Sequence, residues 1–157
     1  MRSVKLILAT MLLGLIGATT LTSCTVDGCT DPAANNYDVE AEKDDGSCTY
    51  PVITFNTTGN DGDVIGEGGS ATSTFDWTNS LARAELNMDI TAATGGSFQV
   101  IIEDADGVEV LNETLTVGIG DDSKNVCSTS GTAGTWTVTV YLTNFNGDGS
   151  YSLSQGC

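Results

Sequence analysis

Ala84-Glu85-Leu86-Asn87-Met88-Asp89-Ile90 alternates apolar and polar side chains at every position. A period of two places Ala84, Leu86, Met88 and Ile90 on one side of an extended strand and the polar residues on the other. Phe98, Val100 and Ile102 repeat the pattern, as do Trp136, Val138, Val140 and Leu142, the last set with Thr135, Thr137, Thr139 and Tyr141 opposite. Tyr151 and Leu153 make a last short strand, and weaker strands are expected near 52–56, 71–77, 108–117 and 123–127. Glycine-rich turn signals separate these segments at 59–62, 66–69, 95–96, 106–107, 118–122, 131–134 and 147–149. About eight strands at this spacing, with no helical period after residue 24, predict an all-β fold. The expected architecture is an antiparallel, jelly-roll-like β-sandwich over 51–157. Each strand has one dry face, so a second sheet must cover it. Trp77, Phe98 and Trp136 are the expected bulky core members.

The N-terminus reads differently. Arg2 and Lys5 precede an apolar run, Leu6 to Ile16, that is shorter than the roughly 20 residues a spanning helix needs. Leu21-Thr22-Ser23-Cys24 follows. This tetrapeptide resembles the lipobox of bacterial lipoproteins: an aliphatic residue, two small residues, then cysteine. The resemblance implies cleavage after residue 23, diacylglycerol on the Cys24 sulfur and an acyl chain such as palmitate on the new amine. Several chains anchor stably where one does not, each buried CH₂ contributing ~0.8 kcal/mol. The implied state is tethering to a membrane rather than spanning it. In lipoproteins of this kind Asp after the cysteine favours inner-membrane retention. Thr25 stands there, so delivery to the outer membrane is expected, on its periplasmic or extracellular face.

Charge narrows the partners. The chain carries 21 acidic residues, five basic ones and no histidine. Two bases lie in the leader, which leaves Lys43, Arg83 and Lys124 beyond it. Such a field repels nucleic acid and anionic headgroups. It attracts cations or a basic partner, or simply keeps an exported domain soluble.

Residues 24–50 form a short acidic segment, with Pro51 at its join to the strand-rich part. Gly28-Cys29-Thr30-Asp31-Pro32-Ala33-Ala34-Asn35-Asn36-Tyr37, then Asp44-Asp45-Gly46-Ser47-Cys48-Thr49-Tyr50, resembles a cysteine-bracketed module of secreted and surface proteins of marine Bacteroidetes. That module's pattern is GCTDP-x-A-x-NY, a spacer with Ala, then DDGSC-x-Y. Val39-Glu40 departs from the usual spacer. With Cys24 committed to lipid, four cysteines remain in an oxidising compartment. Three pairings are open, and sequence order favours Cys29 with Cys48 and Cys127 with Cys157. A bridge closing a loop of about 20 residues contributes roughly 3 kcal/mol in the chain-entropy model. The tail from Gly134-Thr135-Trp136 to Tyr151-Ser152-Leu153 resembles the end of bacterial prepeptidase C-terminal sandwiches, which implies a noncatalytic module.

Candidate sites are few. Asp31, Asp38, Asp44 and Asp45, with the Asn35 and Asn36 side-chain oxygens, have the hard-oxygen chemistry of a structural calcium site. So do Asp104 and Asp106, together with Asp61, Asp63 and Asp148, in glycine-bearing loops at one sandwich end. The competing reading is that these acids only start turns. Tyr141 and Phe145 are the candidate aromatic surface for sugar, against the alternative that they cover the ends and faces of the sheets.

Without histidine, imidazole general acid–base chemistry and Ser-His-Asp or Cys-His systems are excluded. Gly66-Glu67-Gly68-Gly69 lacks the Lys of a phosphate-binding loop. No enzymatic role is expected. The leading expectation is a lipid-anchored accessory or binding domain, with a subunit of an outer-membrane protein assembly as its most specific form. Surface glycan binding and a structural coat or spacer role are the alternatives.

Overall fold

The computed structural model describes residues 25–157. The signal peptide read at 1–23 and the lipidation expected at Cys24 lie outside the described residues. Eight strands occur among the described residues: β1 Asp27–Gly28, β2 Lys43–Asp44, β3 Val52–Ile53, β4 Asp61–Asn79, β5 Ala84–Glu103, β6 Glu109–Thr116, β7 Ser123–Cys127 and β8 Gly134–Gln155.

Three strands carry the fold. β8 has 22 residues and would run about 70 Å if straight, so it must bend. It pairs antiparallel with β4 on one side and β5 on the other along nearly its whole length. Pairing shifts register between Glu67 and Ala71 of β4 and between Thr91 and Ser97 of β5. At these irregularities the sheet folds over on itself. One layer contains β3, residues 61–67 of β4, 146–155 of β8, 84–91 of β5, and β7. The other contains residues 69–79 of β4, 134–145 of β8, 95–103 of β5, and β6. The result is an antiparallel β-sandwich made largely from one bent sheet.

Glycines make the bend possible. Gly96 has φ +83°, and a Cβ there would lie 2.2 Å from the Asn144 carbonyl oxygen. Gly147 has φ +153°, and its Cβ would lie 2.5 Å from Ala93 Cα. The glycine clusters at 66–69, 95–96 and 147–149, expected as turns, are therefore the places where strands pass from one layer to the other. Tyr151–Leu153 is not a separate short strand but the far arm of β8.

The alternating residues meet between the layers as expected. Trp136, Phe98, Phe145, Leu86, Met88, Ile102, Val100, Val138 and Val140 are fully buried, and Trp77 nearly so. Tyr151 on the first layer faces Phe75 and Phe98 on the second, with ring centroids 5.8 and 6.4 Å apart. Trp77 and Trp136 meet edge to face at 5.9 Å. The side between the edge strands β7 and β6 is closed by Lys124 Nζ and Glu113 Oε2, 2.7 Å apart. At the opposite end from the bend, the buried Asp104 carboxylate accepts backbone N–H bonds from Asp106, Val108 and Thr132. Its oxygens clasp the β5–β6 turn to the loop before β8.

The structure joins Cys29 to Cys48 and Cys127 to Cys157, with Cα atoms 4.9 and 6.0 Å apart. The first bridge and the short parallel pair β1–β2 hold residues 25–50 in shape. This module sits on the bend. Asn35 Oδ1 accepts the amides of Glu67 and Gly69 at 3.0 and 3.1 Å, and Ser70 donates its amide to the Ala33 carbonyl at 2.8 Å.

Candidate functional site

The outer face of the second layer is built by register. Thr72 of β4, Tyr141 of β8, Gln99 of β5 and Thr114 of β6 lie in one row across the four strands. The next row is Thr74, Thr139, Ile101 and Asn112, and the one beyond it is Asp76, Thr137, Glu103 and Glu109. The odd-even alternation that buries Trp136, Val138, Val140 and Leu142 turns Thr137, Thr139 and Tyr141 outward. Tyr141 is half-buried among its neighbours. Gln99 donates to Asn112 Oδ1 at 2.8 Å, Asn112 donates to Glu109 at 3.3 Å, and the Thr74 and Thr139 hydroxyls pair at 3.2 Å. These bonds fix the amides in the plane of the face and leave out the Tyr141 hydroxyl and the Gln99 carbonyl oxygen.

Phe145 does not belong to this surface. It is fully buried, with its ring 6.5 Å from that of Phe98. The bend of β8 turns it inward, so the expectation of a ligand-facing Phe145 is corrected and its alternative, a plug at the end of the sandwich, holds. The residues that do flank Tyr141 were not singled out from sequence. Alternation alone puts Gln99 opposite Phe98 and Val100, but which strands bring it beside Tyr141 depends on register across a bent sheet.

The candidate calcium ligands make turn and loop bonds in the structure. Asp31 accepts the Ala33 amide and the Tyr50 hydroxyl, both within 2.9 Å. Asp38, Asp44 and Asp45 each accept the amide two residues ahead, from Glu40, Gly46 and Ser47, at 2.9 Å. Asn36 bridges Ser47 and Thr49. Asp106 accepts the Thr132 hydroxyl at 2.7 Å, while Asp104 makes the clasp described above. Among the described residues no three acidic side chains converge as metal ligands. The acids start and close turns.

Charge states follow from these bonds. The Ala33 amide, then the Tyr50 hydroxyl, hold the Asp31 carboxyl below the usual carboxylate range. Bonds from Ser47 do the same for Asp45, and the Thr132 and Val108 amides for Asp104. Tyr50 is raised in turn by its bond to Asp31. Burial pushes the Tyr151 phenol up, with Asp61 and Asp63 adding to it.

Asp61, Asp63 and Asp148 lie in strands rather than loops, on the outer face of the first layer and away from Asp104. Asp63, Asp89 and Asp148 line an open groove of about 370 Å³ with Ile65, Thr91 and Ser150. The Ser150 hydroxyl donates to Asp89 and that of Thr91 to Asp148, so Asp89 and Asp148 are tied to neighbouring strands.

No protein-family model and no curated protein matches the chain. Solved structures similar to it include TmCBM61 in complex with β-1,4-galactotriose, at 14% identity and a TM-score of 0.36 over 80% of this chain and 77% of that one. Another is accessory secretory protein 1, 2 and 3 of Streptococcus pneumoniae, at 9% identity and 0.35 over 68% and 86%. The family 11 carbohydrate-binding module of cellulase Lic26A-Cel5E of Clostridium thermocellum matches at 14% identity and 0.33 over 68% and 81%. Scores of this size assign no function to the chain.

Proposed function

We propose that this chain is a noncatalytic, lipid-anchored module of the outer membrane that captures glycan on the outer face of its second layer. The observation that carries the reading is Tyr141: a half-buried aromatic ring on a regular sheet face, flanked in its row by Thr72, Gln99 and Thr114. An aromatic ring offers an apolar face for the flat side of a sugar and a polar tip for its hydroxyls. Hydroxyl and amide side chains already fixed by hydrogen bonds cost little to order when a ligand arrives. The face therefore favours glycan capture over the membrane-assembly role that the leader and anchor alone suggest. The noncatalytic part rests on the lack of histidine and on an open face without walls to exclude water.

Two measurements test the proposal. On a glycan array and in calorimetry, Tyr141→Ala is expected to weaken binding at least about tenfold, or about 1.4 kcal/mol, while circular dichroism stays that of the parent. An array that stays silent, or binding that survives Tyr141→Ala unchanged, would defeat the glycan reading. Mass spectrometry of the native N-terminal peptide tests the anchor separately. Diacylglycerol on Cys24 is expected, and a free thiol there defeats it.

A further inference from the structure

Resting on that reading, we infer that the ligand of the Tyr141 face is a short uncharged glycan, and that the protein refuses acidic sugars. The argument is where the few bases and many acids lie. Beyond the leader the chain has three bases. Lys43 is in the module, 3.9 Å from Asp27. Lys124 turns inward to Glu113 at 2.7 Å. Arg83 is in the connection from β4 to β5, beyond the end where Asn79 pairs with Gly134 and away from the bend that Tyr141 adjoins. None of the three stands in the rows around Tyr141, so those rows hold no cation for a carboxylate, sulfate or phosphate.

The acids are placed to the opposite effect. Asp76, Glu103 and Glu109 share a row across the strands, two rows from Tyr141. Each row advances the strand by two residues, so this line runs about 14 Å from the Tyr141 row, parallel to an oligosaccharide seated there. It lies slightly beyond one screening length of about 8–10 Å at ordinary ionic strength, so its repulsion is strongest at low salt. The excess of 21 acids over three bases beyond the leader adds a long-range barrier of the same sign. Between the acids and the bend, the Tyr141 row supplies only uncharged groups. Four strands at about 4.8 Å spacing make that row a lane of roughly 15 Å, the scale of a short oligosaccharide rather than a long polymer. Selectivity then comes from a repulsive element as well as an attractive one.

The test uses the full chain in detergent. Short neutral hexose oligosaccharides are compared with uronic-acid oligosaccharides of the same length, by calorimetry at low and high salt. Neutral ligands are expected to bind with an affinity that salt leaves unchanged. The acidic series should bind at least about tenfold more weakly at low salt, with the gap narrowing as salt screens the face. Replacing the two acids that hold none of the amides of the face (Asp76→Asn and Glu103→Gln together) should narrow the gap too, and leave neutral affinity alone. If acidic sugars bind as tightly as neutral ones and Tyr141→Ala abolishes both, the site stands and the charge selectivity is wrong. If the double replacement leaves the gap intact, the acidic row is not its cause and the inference fails. If neither series binds in a Tyr141-dependent way, the glycan reading itself is lost.

Discussion

The module at residues 25–50 and the sandwich that follows it are stabilised in opposite ways. In the sandwich, one cluster of buried side chains reaches from Val64 to Leu153 and includes both tryptophans. In the module the buried hydrophobic residues are Cys29 and Ala34, and Tyr37, Val39 and Tyr50 are exposed. What the module lacks in core it replaces with a disulfide and a set of carboxylate and carboxamide bonds to its own backbone. Apolar burial is cumulative and non-directional, so the sandwich tolerates loops of many kinds at its ends. Side-chain caps and a covalent bridge are local and directional, which makes individual residues of the module decisive. One chain thus holds two solutions to the same problem, because a segment this short cannot bury enough surface to offset its ordering entropy.

The contrast breaks most sharply at Trp136. Its ring is fully buried and its Nε1 donates to the Thr132 carbonyl at 2.7 Å. Trp136→Ala removes both the packing and the bond, and is expected to cost about 3–5 kcal/mol. Urea denaturation followed by circular dichroism reads this directly. A loss under about 1 kcal/mol would mean that the two layers do not share a single core. The module offers the complementary cut. Replacing Cys29 and Cys48 with serine opens a loop whose ends are 19 residues apart, expected to cost the module roughly 3 kcal/mol. Hydrogen exchange should then show the Asn35 and Thr49 amides unprotected, while the amides of Leu86, Met88 and Val138 keep their protection. Equal loss in both regions would show that the sandwich leans on the module, and that the two are not separately stabilised.

How much of this was legible in the sequence follows the same division. Alternation picked out 84–90, 98–102 and 136–142 as strands and Trp77, Phe98 and Trp136 as core, because a period of two reports one buried face directly. It did not report that β4, β5 and β8 each continue through a glycine cluster. A glycine without a Cβ reads as a turn wherever it occurs, yet at Gly96 and Gly147 the missing Cβ serves a close crossing of strands inside a bend. Once those clusters are bends, Phe145 moves from a turn into the core and Asp148 from a loop onto a sheet face. The acids of the module were legible as turn residues and as calcium ligands alike. The structure shows the turn bonds, each from a nearby amide or hydroxyl. The partners of Tyr141 were illegible for a different reason: Thr72, Gln99 and Thr114 come from three other strands, and their meeting is a matter of register.

The joint between the two regions gives the smallest effect and the finest test. Asn35 reaches from the module to accept the Glu67 and Gly69 amides, where the pairing of β4 with β8 shifts register. Gly69 is needed on the other side, since a Cβ there would lie 2.7 Å from the Ala33 carbonyl oxygen. Asn35→Ala leaves two amides without an acceptor and is expected to cost about 1–2 kcal/mol. The loss should fall on the joint alone: faster exchange at the Glu67 and Gly69 amides, separate tumbling of the module in NMR relaxation, and an unchanged urea midpoint for the sandwich. Asn35→Asp keeps an acceptor oxygen in place and should retain most of the protection that alanine loses. If alanine and aspartate behave alike, the joint is held by packing around Ala33 and Ala34 instead. If neither frees the module, the Ser70–Ala33 bond is enough to keep the two regions moving as one body.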